Sequence, residues 1–311
     1  MRSKDLLSIT DLESHEIRLL LSDAAAMKAE GWQTTLSGKT LALLFEKPSL
    51  RTRVSFELAM KQLGGQAIYL SPAEVGLGKR ESIADVARVL SRYVDALAVR
   101  TFAQSSLEEL ARRAEVPVIN ALSDAEHPCQ ALADLLTIYE HKGDYPGLKL
   151  VYIGDGNNVA VSLALAALSV GLSFTIAAPR GYELPAEVMR QAQALAVEND
   201  CVFDAMTNPE AAARGADIIY TDVWVSMGQE ADAEARLKDF AGYQVNEQLV
   251  TLAKSDAIIM HPLPAHYGLE VAEGLLDIPQ SVVFDQAENR LHVQKALLAD
   301  MLGGLLLPWP M

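Results

Sequence analysis

Ser49, Arg51, Thr52 and Arg53 fall together in "PSLRTRVSFE", residues 48–57, directly after the apolar run "LALLFE". Behind them Phe56, Ala59, Met60 and Leu63 share one face of a helix that Gly64 stops. The start of a helix carries partial positive charge, so guanidinium groups there are unfavourable unless an anion completes the site. Hydroxyls, unpaired main-chain N–H groups and a fork of guanidinium donors suit a phosphate. The competing reading is a serine N-cap whose arginines pair with surface carboxylates.

Other polar residues sit in comparable places. Arg100 follows the apolar run of "ALAVRTF" and either snorkels to solvent or points into a ligand cleft. His127 and Gln130, three apart in "NALSDAEHPCQALAD", can face one ligand from the start of a helix, although a histidine in a helix cap is commonly structural. In "VYIGDGNNVAVSLA" a glycine-rich turn joins a strand to a helix, as in a dinucleotide-binding domain. Val159 stands where that motif has its third glycine, and the next strand ends at Arg180 instead of an acid for the ribose. A nicotinamide-dependent oxidoreductase is therefore a weakened alternative. "YTDVWVSMGQE" offers the carboxylate of Asp222, the Ser226 hydroxyl and the Met227–Gly228 main chain, a receptor for the ammonium and carboxylate of an amino acid; Asp222 as a helix cap is the bland reading. "MHPLPAHYGLEV" is held extended by Pro262 and Pro264, which leaves carbonyls free to accept hydrogen bonds. His261 and His266 bracket those prolines without metal-ligand helix spacing, and they could equally be structural.

The elements that must present these residues alternate. Short runs rich in β-branched and aliphatic residues ("LALLFE", "AIYL", "ALAVRTF", "VPVINAL", then "LKLVYIGD", "FTIAAP", "DIIYTDVW", "AIIMHPLP", "SVVFDQ") are separated by helix-length amphipathic stretches. That order predicts an α/β protein of two domains, each a parallel β-sheet flanked by helices, and ligands at the carboxyl ends of the strands. The 311 residues exceed the usual size of one core. A helix over 128–141 followed by Gly143, Pro146 and Gly147 sets the boundary, giving domains 1–145 and 146–288. A final helix at about 289–305, within the segment 289–311, is expected to return to the first domain. A formal charge of −15 and a pI near 4.8 disfavour nucleic acid or an anionic membrane as partner. The two cysteines, Cys129 and Cys201, fit a reducing compartment. The opening residues lack the apolar core of a signal peptide and no run of 18 apolar residues follows, so a cytoplasmic protein is expected.

Taken in register, "FEKPSLRTRVSFE", "SIADVARVLSRYVDALAVRTF", "HPCQALADLLT", "GDGNNV", "DVWVSMGQE", "HPLPAHYG" and "AENRLHVQKALL" resemble the aspartate/ornithine carbamoyltransferase family along nearly the whole chain. The resemblance implies a carbamoyl-phosphate-binding first domain and an ornithine-binding second domain. It implies that Ser49, the Leu50 main chain, Arg51 and Thr52 hold the phosphate, and that Arg100 bridges towards the carbonyl. Thr52, Arg100 and His127 would polarise the carbamoyl oxygen. Gln130 and the carbonyls of Pro262 and Leu263 would receive the carbamoyl NH₂, with Arg290 reaching in from the last helix. Asn158, Asp222, Ser226 and Met227 would hold the amino acid. The implied reaction carries the carbamoyl group to the side-chain amine of L-ornithine, giving L-citrulline and phosphate, with Arg51, Arg100, His127 and Asp222 as its catalytic residues. It needs no metal or organic cofactor and runs in a homotrimer whose domains close over carbamoyl phosphate before the "SMG" loop moves. Acylated ornithine, putrescine or aspartate are the alternative acceptors; an aspartate site would want cations for the second carboxylate. Three positions depart from the pattern: Pro262 replaces a cysteine usual in the ornithine enzymes, Gly76 replaces a glutamine with Lys79 nearby, and Leu50 replaces a threonine.

Overall fold

The computed structural model describes residues 3–31, 34–78, 80–226, 228 and 230–303. Lys79, Met227 and the tail from residue 304 lie outside the described residues. The chain forms two compact units, Met1–Leu136 with Glu288–Met311, and Thr137–Ala287.

In the first unit β1 (Thr40–Phe45), β2 (Gln66–Leu70), β3 (Ala96–Arg100) and β4 (Val118–Leu122) form a parallel sheet in the order β2-β1-β3-β4. Its helices are α1 (Ser14–Glu30), α2 (Leu50–Gln62), α3 (Pro72–Val75), α4 (Ile83–Leu90), α5 (Gln104–Arg113) and the start of α6 (Pro128–Lys142). Every residue of β3 is buried, as are the last five of β1, so both faces of the central strands need apolar side chains. Leu44, Leu97 and Val99 meet Leu107, Leu110 and Val118 in one core.

In the second unit β5 (Lys149–Ile153), β6 (Ser173–Ala177), β7 (Phe203–Met206), β8 (Ile218–Thr221) and β9 (Ile258–Met260) form a parallel sheet in the order β7-β6-β5-β8-β9. Helices α7 (Asn158–Ser169), α8 (Ala186–Glu198), α9 (Pro209–Ala213), α10 (Ala233–Asp239) and α11 (Glu247–Val250) follow the strands. Val151, Ile153, Ile219 and Ile259 anchor its core. The parallel α/β architecture is as expected.

Two local readings are corrected. "SVVFDQ" is no strand: Ser281 makes an isolated bridge to Ile259, and the last helix, α12 (Val283–Met301), begins inside the run. A short apolar run cannot by itself distinguish strand from helix; here buried Gln286, Arg290, Val293 and Leu297, three or four apart, reveal the helical period. The helix therefore starts before residue 289. Edge strand β7 went unread because "FDAM" is short and exposes its two middle residues. The C-terminal helix packs on the first unit: Lys295 Nζ donates to the Met27 and Gly31 carbonyls at 3.0 and 2.8 Å, closing the end of α1, and Lys28 Nζ donates to Asn289 Oδ1 at 2.8 Å. No helix among the described residues is long and apolar enough to cross a membrane.

Candidate active site

The β1–α2 connection gives the first unit its anion-receiving corner. Ser49 caps α2, its hydroxyl oxygen accepting from the Thr52 N–H at 3.3 Å, and α2 ends before Gly64, whose φ of +81° suits glycine. Phe56, Ala59, Met60 and Leu63 are all buried, so the predicted apolar face holds the helix in place. Thr52 Oγ1 accepts from Ser49 Oγ at 3.0 Å and from Arg290 Nη2 at 2.6 Å. With both acceptor directions engaged, the Thr52 hydrogen is left to donate. Leu50 is 77% exposed, so only its main chain can serve the site.

The two arginines of the motif part company. Arg53 turns to the surface, where Nε pairs with Glu57 at 2.8 Å and the guanidinium covers the Tyr69 ring at 4.0 Å. For Arg53 the bland reading holds. Arg51 is half-buried and its pKa is lowered by desolvation. Arg100, at the end of β3, is buried, and its pKa falls to about 10 through desolvation and then the positive charges of Arg290 and Arg51. Its Nε has no hydrogen-bond partner among the described residues. A desolvated guanidinium held beside two other positive charges makes a field into which an anion fits.

His127 and Gln130 open α6. Burial pushes the His127 pKa well below its usual range, and Arg290 and Arg100 add to the shift. At neutral pH the ring is therefore an uncharged imidazole, able to polarise an oxygen through one N–H without adding a fourth cation. Gln130 Nε2 donates to Asp134 Oδ1 at 2.8 Å, while Oε1 is buried with no partner among the described residues. Its acceptor atom is the one left for a ligand N–H.

Asn158, Asp222, Ser226, Pro262 and Leu263 belong to the second unit; Met227 lies outside the described residues. Asp222 follows β8 and is buried, and desolvation raises its carboxyl pKa. Asn157 Nδ2 donates to Asp222 Oδ2 at 2.8 Å, while Asn157 Oδ1 caps α7 by accepting from Val159 and Ala160 at 3.0 and 3.1 Å. Asn158 and Ser226 are half-buried beside these groups in sequence.

Sequence reading missed the partners of this acceptor segment. Arg236, in α10, pairs through Nη2 with Asp155, donates through Nε to the Trp224 carbonyl at 2.6 Å, and lies over the Tyr182 ring at 4.8 Å. Asp155 is nevertheless raised to about 6, because burial outweighs the pull of Arg236. Arg236 thus ties the turn after β5 to the segment that carries Asp222 and Ser226. The N-cap position of Asn157 before an apolar helix was the available sequence signal for its role; Arg236 had none.

The glycine-rich turn is shaped against the oxidoreductase reading. A Cβ on Gly156 would stand 2.5 Å from the Glu183 carbonyl carbon and the Leu184 nitrogen, and the Gly156 N–H donates to the Tyr182 carbonyl at 2.8 Å. The chain itself fills the space through which a pyrophosphate would approach, and the Asn157 side chain occupies the N–H groups that would bind it. Gly76, where the sequence departs from a glutamine, ends α3 at φ +45°, a left-handed position that favours glycine.

Fold and site together define a two-unit α/β protein with a cationic anion receptor on one unit and a buried carboxylate receptor on the other. The family pattern described as the aspartate/ornithine carbamoyltransferase carbamoyl-P binding domain matches residues 4–140, and the one described as the Asp/Orn binding domain matches residues 146–301. The ornithine carbamoyltransferase of Anoxybacillus flavithermus is 53% identical over 306 residues, covering 97% of this chain and 98% of the relative. That of Pyrococcus horikoshii is 52% identical over 311 residues, covering 98% of each. Among solved structures, ornithine carbamoyltransferase from Pyrococcus furiosus superposes with a TM-score of 0.94 at 52% identity over 97% of both chains. The Thermus thermophilus enzyme gives 0.88 at 46% identity over 97% of this chain and 100% of its own. The chain belongs to the aspartate/ornithine carbamoyltransferase family.

Proposed function

We propose that this chain transfers the carbamoyl group of carbamoyl phosphate to the side-chain amine of L-ornithine, giving L-citrulline and phosphate. The observation that carries the donor half is the buried Arg100, whose pKa is lowered by desolvation and by the charges of Arg290 and Arg51, beside a neutral His127 that feels Arg290 and Arg100. Ser49, the Leu50 N–H, Arg51 and Thr52 hold the phosphate. Arg100, Thr52 and His127 donate to the carbamoyl oxygen, where negative charge grows as the amine attacks. Gln130 Oε1 and the carbonyls of Pro262 and Leu263 accept from the NH₂; proline at 262 keeps that carbonyl and loses only the thiol of the usual cysteine. Asn158, Asp222, Ser226 and Met227 bind the amino acid, with Asp222 on its amines.

An alkyl amine such as ornithine's titrates near 10 and must shed a proton before attack. Its nitrogen then forms the C–N bond, the tetrahedral centre collapses, the bond from the carbamoyl carbon to the bridging oxygen breaks, and the departing phosphate carries off the remaining amine proton. Positioning and electrostatic polarisation supply the rate. The name of a Pyrococcus furiosus relative, "Ornithine carbamoyltransferase, anabolic", 51% identical over 311 residues, supports a place in arginine biosynthesis. The exposed stripe Leu50, Val54 and Leu58 on α2, with Ile68 on edge strand β2, supports assembly into a homotrimer. Free cysteines at 129 and 201 support the cytoplasm.

The test is an acceptor panel. Purified protein with carbamoyl phosphate and ornithine, acetylornithine, putrescine or aspartate should release a ureido product with ornithine about 10⁴-fold faster than with the others, the discrimination that a site built of hydrogen-bonding groups gives when they are left unpaired. Equal rates on putrescine would overturn the amino-acid receptor, and a product with none would overturn carbamoyl transfer.

A further inference from the structure

The second unit buries a histidine and a glutamate that the proposed reaction does not use. His261 and Glu270 are both fully buried, with His261 Nε2 3.3 Å from Glu270 Oε1. The Leu263 N–H donates to His261 Nδ1 at 2.9 Å, which requires a lone pair there and puts the ring proton on Nε2, facing the carboxylate. Glu270 Oε1 also accepts from the His266 N–H, and the His261 N–H donates to Gln286 Oε1 at 2.9 Å, whose Nε2 reaches Tyr220 Oη at 3.1 Å. Together these bonds grip the segment 261–266. Leu263 has φ +55°, so the segment turns where the two prolines predict an extended chain, and a left-handed conformation at a branched, non-glycine residue persists only where surroundings impose it.

A buried charged or polar pair often contributes no more to stability than an apolar pair of the same volume. Its retention here has a geometric account: the histidine supplies an acceptor inside the turn it begins, and the glutamate fixes the tautomer that makes Nδ1 that acceptor. We propose that Glu270, acting through His261, is a positioning residue that orients the Pro262 and Leu263 carbonyls towards the NH₂ of carbamoyl phosphate. The proposal rests on the reading above in which those two carbonyls accept from the carbamoyl NH₂. Without Glu270 the ring is free to carry its proton on Nδ1, where it meets the Leu263 N–H donor to donor, and the turn relaxes.

The consequence is selective. Acetyl phosphate has a methyl in place of NH₂, and inorganic phosphate has neither, so only carbamoyl phosphate reads the two carbonyls. Glu270→Ala should weaken carbamoyl phosphate binding about 30-fold, the worth of two hydrogen bonds, while the inhibition constants of acetyl phosphate and inorganic phosphate move less than about 3-fold, since ligands that make no bond to the carbonyls lose none. Glu270→Gln keeps an oxygen for both donors and should restore binding; so should His261→Asn, whose amide oxygen approximates Nδ1, whereas His261→Leu should not. A general loss of packing would weaken all three ligands together and would not be rescued, and that pattern overturns the proposal. If the Ala and Leu variants do not fold, ¹⁵N NMR of the unsubstituted protein decides: Nδ1 unprotonated and Nε2 protonated at neutral pH is expected, and the reverse tautomer or an imidazolium overturns it. A wild-type protein that prefers acetyl phosphate would instead overturn the underlying reading of the carbonyls.

Discussion

The two units solve opposite electrostatic problems. In the first, the charges of Arg290 and Arg51 add to burial in lowering the pKa of Arg100, burial lowers that of Arg51, and His127 stays neutral, so like charges gather there. In the second, Asp155 is answered by Arg236, Glu270 by His261, and Asp222 by Asn157, so each of these buried carboxylates has a partner within the unit. Burial in the first unit raises the attraction for a ligand, and burial in the second holds short segments in place. Substitutions in the first should therefore speak through catalysis, and those in the second through geometry and stability.

The sharpest break of that contrast is Arg100→Ala. It should cost about 10³-fold in kcat/KM by removing the donor proposed for the developing oxyanion, with a urea midpoint near that of the parent because crowding among the cations is relieved. Arg236→Ala should do the reverse: stability falls by about 3 to 5 kcal/mol because Asp155 is left as an uncompensated buried carboxylate, measured as the shift in urea-unfolding free energy. Asp222→Asn should lower kcat/KM for ornithine about 100-fold, the scale expected when one charge-assisted hydrogen bond is removed from the transition state, and leave the binding of carbamoyl phosphate nearly unchanged by calorimetry.

The pH dependence separates the units more finely. The native His127 pKa is depressed, so the unfolded chain takes up a proton that the folded chain refuses. This group's share of stability is complete above the ordinary histidine value of about 6.5 and is lost as pH falls below it, by at most about 1.4 kcal/mol per pH unit. Denaturant titrations between about pH 7.5 and 5, spanning that value, should show a shallower acid loss in His127→Gln than in the parent. Arg53→Ala is the smallest effect: an exposed pair with Glu57 one turn away contributes under about 0.5 kcal/mol, and kcat should not move.

The sheets and the cationic corner were legible because both obey local rules. Parallel strands buried on two faces write themselves as apolar runs, and ligands of such sheets sit at the carboxyl ends of the strands, which is how Ser49, Thr52, Arg100, His127 and Asp222 stood out as candidates. "SVVFDQ" failed because three apolar residues carry no period of their own. Arg236, Asp155 and Glu270 were invisible for a different reason: 81 residues separate Arg236 from Asp155, and a lone arginine or glutamate in a polar stretch has the composition of a solvated surface. Their burial is decided by tertiary partners that no spacing rule contains. Arg53 shows the converse, a residue inside the motif that the fold sends to the surface.

Transfer of the carbamoyl carbon itself gives the most direct test. Carbamoyl phosphate labelled with ¹³C, mixed with ornithine and the purified protein, should move its label into the ureido carbon of citrulline with one phosphate released per citrulline, and should do so far more slowly with Arg51→Ala or Asp222→Ala. Label recovered only as bicarbonate or cyanate, or phosphate released at the same rate without ornithine, would contradict the assignment of the two receptors to one reaction.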